Sequence, residues 1–228
     1  YAPGERTFSR HRKEVKLKSN QPIFEARVVS GIQDLFNSNY QYTRLGANIT
    51  HTTRIPRWGK INYMIYGGTI LSKEALPFML LEIHPGNEIY YYNKQSFNLM
   101  NRFEYISDKY VGINIEHNLE KKLLNLIPFM RKSNMRQFWN IKGVWGDLTD
   151  GNRKLNIQDF YNEYRQRSLR GIPYTEIGTG FENIFKLLRI DFVWRNAPLR
   201  NIPPGFPASI FKSNTNDFGV FGSIRLQF

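Results

Sequence analysis

Four histidines, His11, His51, His84 and His117, are the chain's whole supply of imidazole, and cysteine is absent. No HExxH pair and no helical spacing joins any two of them, so the sequence supports no metal site. Without cysteine there is no thiolate ligand, no thiol nucleophile and no disulfide. A hydrolase needs a Ser or Asp beside a His with a third group to orient it. Ser107, Asp108 and His117 supply those residue types, but no motif joins them. His51 and His117 each fall near the end of a strand-like segment, where a histidine needs no catalytic role. No catalytic residue and no cofactor is assigned, and the expectation is a protein without enzymatic activity.

The most distinctive polar run is His84-Pro85-Gly86-Asn87-Glu88, set between Leu80-Leu81-Glu82-Ile83 and Ile89-Tyr90-Tyr91-Tyr92. Pro-Gly-Asn is turn chemistry, because proline fixes one dihedral and glycine accepts positive φ. A surface turn is one reading. The apolar and aromatic flanks, two acids and a histidine favour a second, a loop folded back into a polar lumen.

The elements that would position this run are strands. Phe24 to Leu35, Tyr40 to Thr53, Ile61 to Leu71, Lys109 to Leu119, Arg136 to Asp147, Tyr174 to Asn183, Leu188 to Arg195 and Phe218 to Phe228 all show strand-like patterning. Most exceed the usual soluble strand of about five or six residues and match a tilted bilayer-crossing strand. Leu188, Ile190, Phe192 and Trp194 alternate with Arg189, Asp191 and Arg195. The first row is expected to face lipid, and the charged row to face water inside a barrel or an opposing charged strand. The last segment repeats the pattern, with Phe218, Val220, Ile224, Leu226 and Phe228 as its apolar row.

The totals agree with strands in a membrane. Aromatics make up 15% of the 228 residues, the composition of aromatic girdles at two interfaces. No run approaches the roughly 18 to 20 apolar residues of a membrane helix, so any span must be built from strands. The formal charge of +13 invites nucleic acid as a partner. The cations are spread, however, and the densest cluster, Arg10 to Lys18, sits on a segment that could itself be a strand. Zinc-finger, Walker and RNP patterns are missing. Basic loops facing anionic lipid headgroups account for the charge instead, and no nucleic-acid partner is expected.

The connections differ in length. If Phe228 ends at the periplasmic rim, Ser72 to Asp108, Leu148 to Pro173 and Ala197 to Asp217 are long outer loops. Arg54 to Lys60 and Ile184 to Leu187 are short inner turns, with Glu120 to Met135 the exception. The short turn at Asn37-Ser38-Asn39 lies on the outer side. Ile157, Phe160, Tyr161 and Tyr164, three and four apart, predict a short amphipathic helix in the loop from Leu148 to Arg170. Tyr1 is neither an initiator methionine nor the start of a signal peptide, so a processed piece or part of a longer chain is expected.

The runs LPFMLLEIHPGNEIYYY, SFNLMNRFEYISDKYVGINIEHNLE, FWNIKGVWGDL, YTEIGTGFENIFKLLRIDFVWR and FGVFGSIRLQF resemble the C-terminal barrel region of a Bacteroidota outer-membrane family whose members carry an N-terminal carboxypeptidase-regulatory-like domain. More remotely, the layout is similar to the second half of the BamA/TamA superfamily, in which a long sixth loop enters the lumen and five strands follow. That resemblance implies Asp147 as an acid of the barrel wall, His84 to Glu88 as the lumen loop, and a location in the bacterial outer membrane. The superfamily's loop carries an arginine that docks on the wall. This loop has none beside its Pro-Gly turn.

Residues 1–228 are therefore expected to be an all-β, antiparallel outer-membrane barrel region of about eight strands, with 72–108 a long loop folded into the lumen. Half a barrel would leave two unpaired edges in lipid. The expected partners are outer-membrane lipid and lipopolysaccharide, other envelope proteins and the missing N-terminal part of the barrel, in transport or assembly of envelope components. Two alternatives stand beside this. A barrel enzyme requires Ser, Asp and His to converge at one rim, and a soluble carbohydrate- or protein-binding β-sandwich requires solubility without detergent.

Overall fold

The computed structural model describes residues 6–10, 13–17, 21–35, 38–157, 166–199 and 217–224. β1 (Arg6–Arg10) and β2 (Lys13–Leu17) form a two-stranded antiparallel ribbon on the basic segment near the start of the chain. The body of the fold is one eight-stranded sheet. It comprises β3 (Ile23–Gly31), β4 (Tyr42–Ile55), β5 (Gly59–Ser72), β8 (Lys109–Glu120), β9 (Arg136–Asp147), β10 (Tyr174–Ile184), β11 (Leu188–Ala197) and β12 (Phe218–Ile224). Every neighbouring pair is antiparallel, and the strands lie side by side in chain order. Between β5 and β8 runs a long excursion that holds the two-residue strands β6 (Glu82–Ile83) and β7 (Ile106–Ser107).

The fold is all-β, as the alternation predicts, and the eight predicted segments are the eight strands of this sheet. It does not close on itself among the described residues: β3 and β12 are its two edges. β4 and β5, at 14 residues each, overrun their predicted ends because the turn between them is tight. In that turn the Trp58 amide donates to the Ile55 carbonyl at 3.0 Å, and Arg57 and Gly59 adopt positive φ. A Cβ on Gly59 would overlap the Asn118 carbonyl, so the same residue admits β8 alongside.

Register divides the sheet into two chemical faces. Val111, Ile113, Ile115, Trp139, Ile141 and Trp145 share one face across β8 and β9. On β11 and β12 that face continues through Leu188, Ile190, Phe192, Trp194, Phe218, Val220 and Ile224. These side chains are mostly exposed, Ile141 by 46% and Trp194 by 41%, and no second layer of described residues covers them. The opposite face carries the charged row, and the long excursion lies on it. Three buried clusters join the two: Phe97, Met100 and Tyr105 with Val144 and Tyr174; Leu76, Leu81 and Ile106 with Ile70 and Leu148; Tyr92 and Leu99 with Val193 and Phe221. The core is therefore the space between one sheet face and its own long loop, where a sandwich would have a second sheet.

On the polar face, aromatic rings sit on directly paired glycines. Tyr66 lies over Gly112 and Phe138 over Gly180, and a Cβ at either glycine would overlap the ring. Gly222, on the apolar face, has nothing within 4 Å of where its Cβ would be. Gly180→Val is therefore expected to destabilise the fold by about 1–3 kcal/mol through overpacking. Gly222→Val should change the urea midpoint little by comparison.

Candidate functional site

Strand pairing aligns a row of complementary charges on the polar face. Lys142 of β9 stands opposite Glu176 of β10, and Glu176 opposite Arg195 of β11. Beside this row, Arg189 forks onto Asp191, Nε to Oδ2 at 2.8 Å and an η nitrogen to Oδ1 at 2.7 Å. Arg189 also reaches Glu116 at 3.0 Å and Glu182 at 3.8 Å. Its guanidinium lies 3.7 Å from the centre of the Phe138 ring and 4.6 Å from that of Tyr92. Arg189 and Asp191 are 1% and 0% exposed. Of the two surroundings expected for the charged row, water or an opposing charged strand, it meets charges on neighbouring strands and is dry. The loop dries it and supplies partners.

Most of those partners are main-chain groups of the loop. Glu176 accepts the amides of Asn98 and Leu99 at 2.8 and 2.7 Å, together with the Tyr174 hydroxyl at 2.7 Å. Lys142 donates to the carbonyls of Asn93 and Ser96 at 2.8 and 2.6 Å, and Asn114 donates to that of Lys94 at 2.7 Å. Lys94 pairs with Glu116. Arg195 donates to Glu104 at 3.3 Å and to the Tyr105 hydroxyl at 2.9 Å.

Of the distinctive loop residues, His84 and Asn87 are buried, Gly86 is half-buried, and Pro85 and Glu88 are exposed. Gly86 is not there for positive φ. A Cβ would overlap the Asn101 carbonyl, so glycine permits close approach of two loop segments, where the Phe97 amide donates to the Pro85 carbonyl at 2.8 Å. Asn87 donates to the Tyr91 carbonyl at 2.9 Å and to the Asn98 side chain at 3.0 Å. The run is an internal brace of the loop.

His84 Nε2 and Ser107 Oγ are 2.9 Å apart in the buried interior, and Nδ1 has no hydrogen-bond partner among the described residues. Asp108 turns away, accepting the Thr149 amide at 2.6 Å and the Asn152 side chain at 2.9 Å. His117 lies elsewhere, with Nε2 2.8 Å from the Trp58 carbonyl. Ser107, Asp108 and His117 thus do not converge. No group of three or more metal-ligating side chains occurs among the described residues.

Asp147 has a partner, though not from the long loop. Its Oδ1 accepts Arg153 at 3.0 Å, Ser168 at 3.0 Å and the Leu148 amide at 2.8 Å. Arg153 belongs to α1 (Asp150–Asn156). The helix lies within the loop from Leu148 to Arg170, and its Asn152 reaches Asp108 and the Leu76 amide, to which it is bonded at 2.7 Å. Phe160, Tyr161 and Tyr164 fall outside the described residues, as do Leu226 and Phe228 of the terminal strand.

That strand, β12, receives the loop's backbone along its outer edge at Gly222. The Gly222 amide donates to the Tyr90 carbonyl at 3.0 Å, and the Tyr92 amide donates to the Gly222 carbonyl at 3.1 Å. One residue of the sheet edge is thus occupied by the chain itself.

A family model described as the C-terminal domain of a family of unknown function, DUF5686, matches residues 1–146. The chain belongs to that family. The DUF5686 match ends within β9, so it includes the loop, Glu116 and Lys142, while Glu176, Arg189 and Asp191 follow it. No curated protein and no solved structure matches the chain.

Register across distant strands is what sequence reasoning missed. The usable signal was a charge in the polar row of each of four strands, at Glu116, Lys142, Glu176 and Arg189. Arg189→Met leaves Asp191 buried without its cation and Glu116 with Lys94 alone, and is expected to cost about 3–5 kcal/mol in urea unfolding. Arg54→Met, at the exposed pair with Glu120 (3.4 Å), should cost at most ~1 kcal/mol.

Burial lowers the His84 pKa from 6.5 to about 4. The unfolded chain therefore binds its proton first, and stability present above pH 6.5 is lost as pH falls toward 4. Between pH 7.5 and 4.5 the wild type should lose about 2–3 kcal/mol more than His84→Gln, measured by urea midpoints at each pH.

Proposed function

We propose that this chain is part of a transmembrane β-barrel in a bacterial outer membrane, serving transport or assembly of envelope components without chemistry of its own. One observation carries the reading: an apolar, aromatic-rich face extends over the sheet and is left uncovered by the described residues, while the opposite face holds the charges and the packed loop. A soluble protein rarely leaves a contiguous apolar surface of more than a few hundred Å² uncovered. Lipid-facing and lumen-facing rows that alternate along every strand are what a barrel requires. No helix among the described residues is long and apolar enough to cross a membrane, which leaves strands as the spanning elements of this proposal.

Under this reading Leu188, Ile190, Phe192 and Trp194 contact lipid, and the segment from Leu76 to Asp108 fills part of the lumen. The open edge at β3, and the part of the β12 edge that Tyr90 and Tyr92 leave free, are completed by further strands, from the same protein or a partner, since unpaired edges are not viable in lipid. Support for a Bacteroidota origin, and for a BamA/TamA-like role in assembly, comes from the sequence resemblance and from the loop-then-five-strand order. Lipopolysaccharide and other envelope proteins are the partners this predicts, with no nucleic acid among them.

Ile190→Arg should impair folding into lipid vesicles by about 2–4 kcal/mol, the penalty for a cation on the lipid face. Thr50→Arg, at an exposed position on the polar face, should be tolerated. Monodisperse wild-type protein without detergent, or Ile190→Arg folding like the wild type, would contradict the assignment.

A further inference from the structure

The two ends of the sheet differ in charge. At the end with the short turns, segments 54–60, 120–136 and 184–187 hold nine lysines and arginines against one acid, Glu120. At the other end, the described connections 32–35, 38–41, 73–108, 148–157, 166–173 and 198–199, with Asp217, hold seven against eight. The excess at the short-turn end is not neutralised internally. Arg54 pairs with Glu120, while Arg57, Lys60, Lys132 and Lys186 are exposed and enter no ion pair among the described residues.

The same segments push large apolar side chains outward. Trp58 is 62% exposed, Leu126 73% and Phe185 85%. They sit on ordered turns. The Trp58 carbonyl is held by His117, and the Lys122 ammonium lies 5.5 Å from the centre of the Trp58 ring. Successive 3₁₀ turns at Leu124–Leu126 and Pro128–Met130 fix the link between β8 and β9, with the Ile127 amide donating to the Leu124 carbonyl at 3.1 Å. The Leu187 amide closes the β10–β11 turn onto the Ile184 carbonyl at 3.1 Å.

Fixed cations beside exposed indole, leucine and phenylalanine, at the margin of a broad apolar face, match one chemistry in particular. Phosphate takes the cations and acyl chain takes the apolar tips, with the indole at the boundary between them. A nucleic acid would satisfy the cations but leave Leu126 and Phe185 in water. We propose that this basic rim binds the headgroups of anionic phospholipids in the leaflet next to the short turns, with Trp58, Leu126 and Phe185 at the acyl boundary. This inference rests on the membrane reading above and names which end of the sheet recognises headgroup charge.

The test uses the full chain reconstituted in phosphatidylcholine vesicles doped with spin-labelled phosphatidylglycerol or spin-labelled phosphatidylcholine. The immobilised lipid component is then compared by electron paramagnetic resonance. In low salt, phosphatidylglycerol should associate at least about threefold more strongly than phosphatidylcholine. The preference should fall toward unity in about 1 M NaCl, where the Debye length is about 3 Å. It should also fall in the triple variant Arg57→Glu, Lys122→Glu, Lys186→Glu, and persist in Lys73→Glu, Arg102→Glu, Arg170→Glu at the other end. Equal immobilised fractions for the two lipids in low salt would overturn the rim proposal and leave the membrane reading standing. Loss of the preference only in the second variant would overturn its placement. No immobilised component from either lipid would overturn the membrane reading and the rim with it.

Discussion

Arg189 cannot be dry and alone. A buried guanidinium costs several kcal/mol of desolvation unless charge and hydrogen bonds replace its water. Asp191 supplies the fork, Glu116 a second carboxylate and Phe138 and Tyr92 the aromatic faces. Tyr92 comes from the long loop. Remove the loop and the charged row is rehydrated; remove the row and the loop loses its anchors. Much of the structure follows from this mutual dependence, including the three apolar clusters that close around it and the position of the core against one face of a single sheet.

The sheet tolerates such a polar interior because its other requirements are met locally. Paired glycines make room for Tyr66 and Phe138, which keeps neighbouring strands close and pins register where a one-residue slip would exchange the faces. The apolar face takes no part in this internal packing, and its exposed tryptophans and isoleucines are the molecule's principal unmet demand.

How much of this is legible in the sequence depends on distance along the chain. Strands are legible because period two is local: Leu188, Ile190, Phe192 and Trp194 alternate within one short run, and the eight segments appear at nearly their observed limits. That the loop packs rather than waving in water is legible from the apolar flanks of His84 to Glu88. Its anchorage is not, because Glu176 and Lys142 bind main-chain groups whose positions no side-chain pattern records. The same limit hides the partner of Asp147. Arg153 sits only six residues away but reaches it through a helix whose placement is governed by Asn152 and the distant Asp108. Closure of the sheet is a property of edge pairing, which alternation within a strand does not encode.

Recognition through the loop's backbone has an evolutionary consequence. The sheet reads amides and carbonyls between Asn93 and Leu99, which nearly every residue type presents alike. Side chains in that stretch that are exposed, such as Gln95, are left free to drift without loosening the attachment. Relatives could thus diversify what the loop displays while keeping one inherited socket, with mutational constraint concentrated on Lys142, Glu176 and Arg189 in the strands.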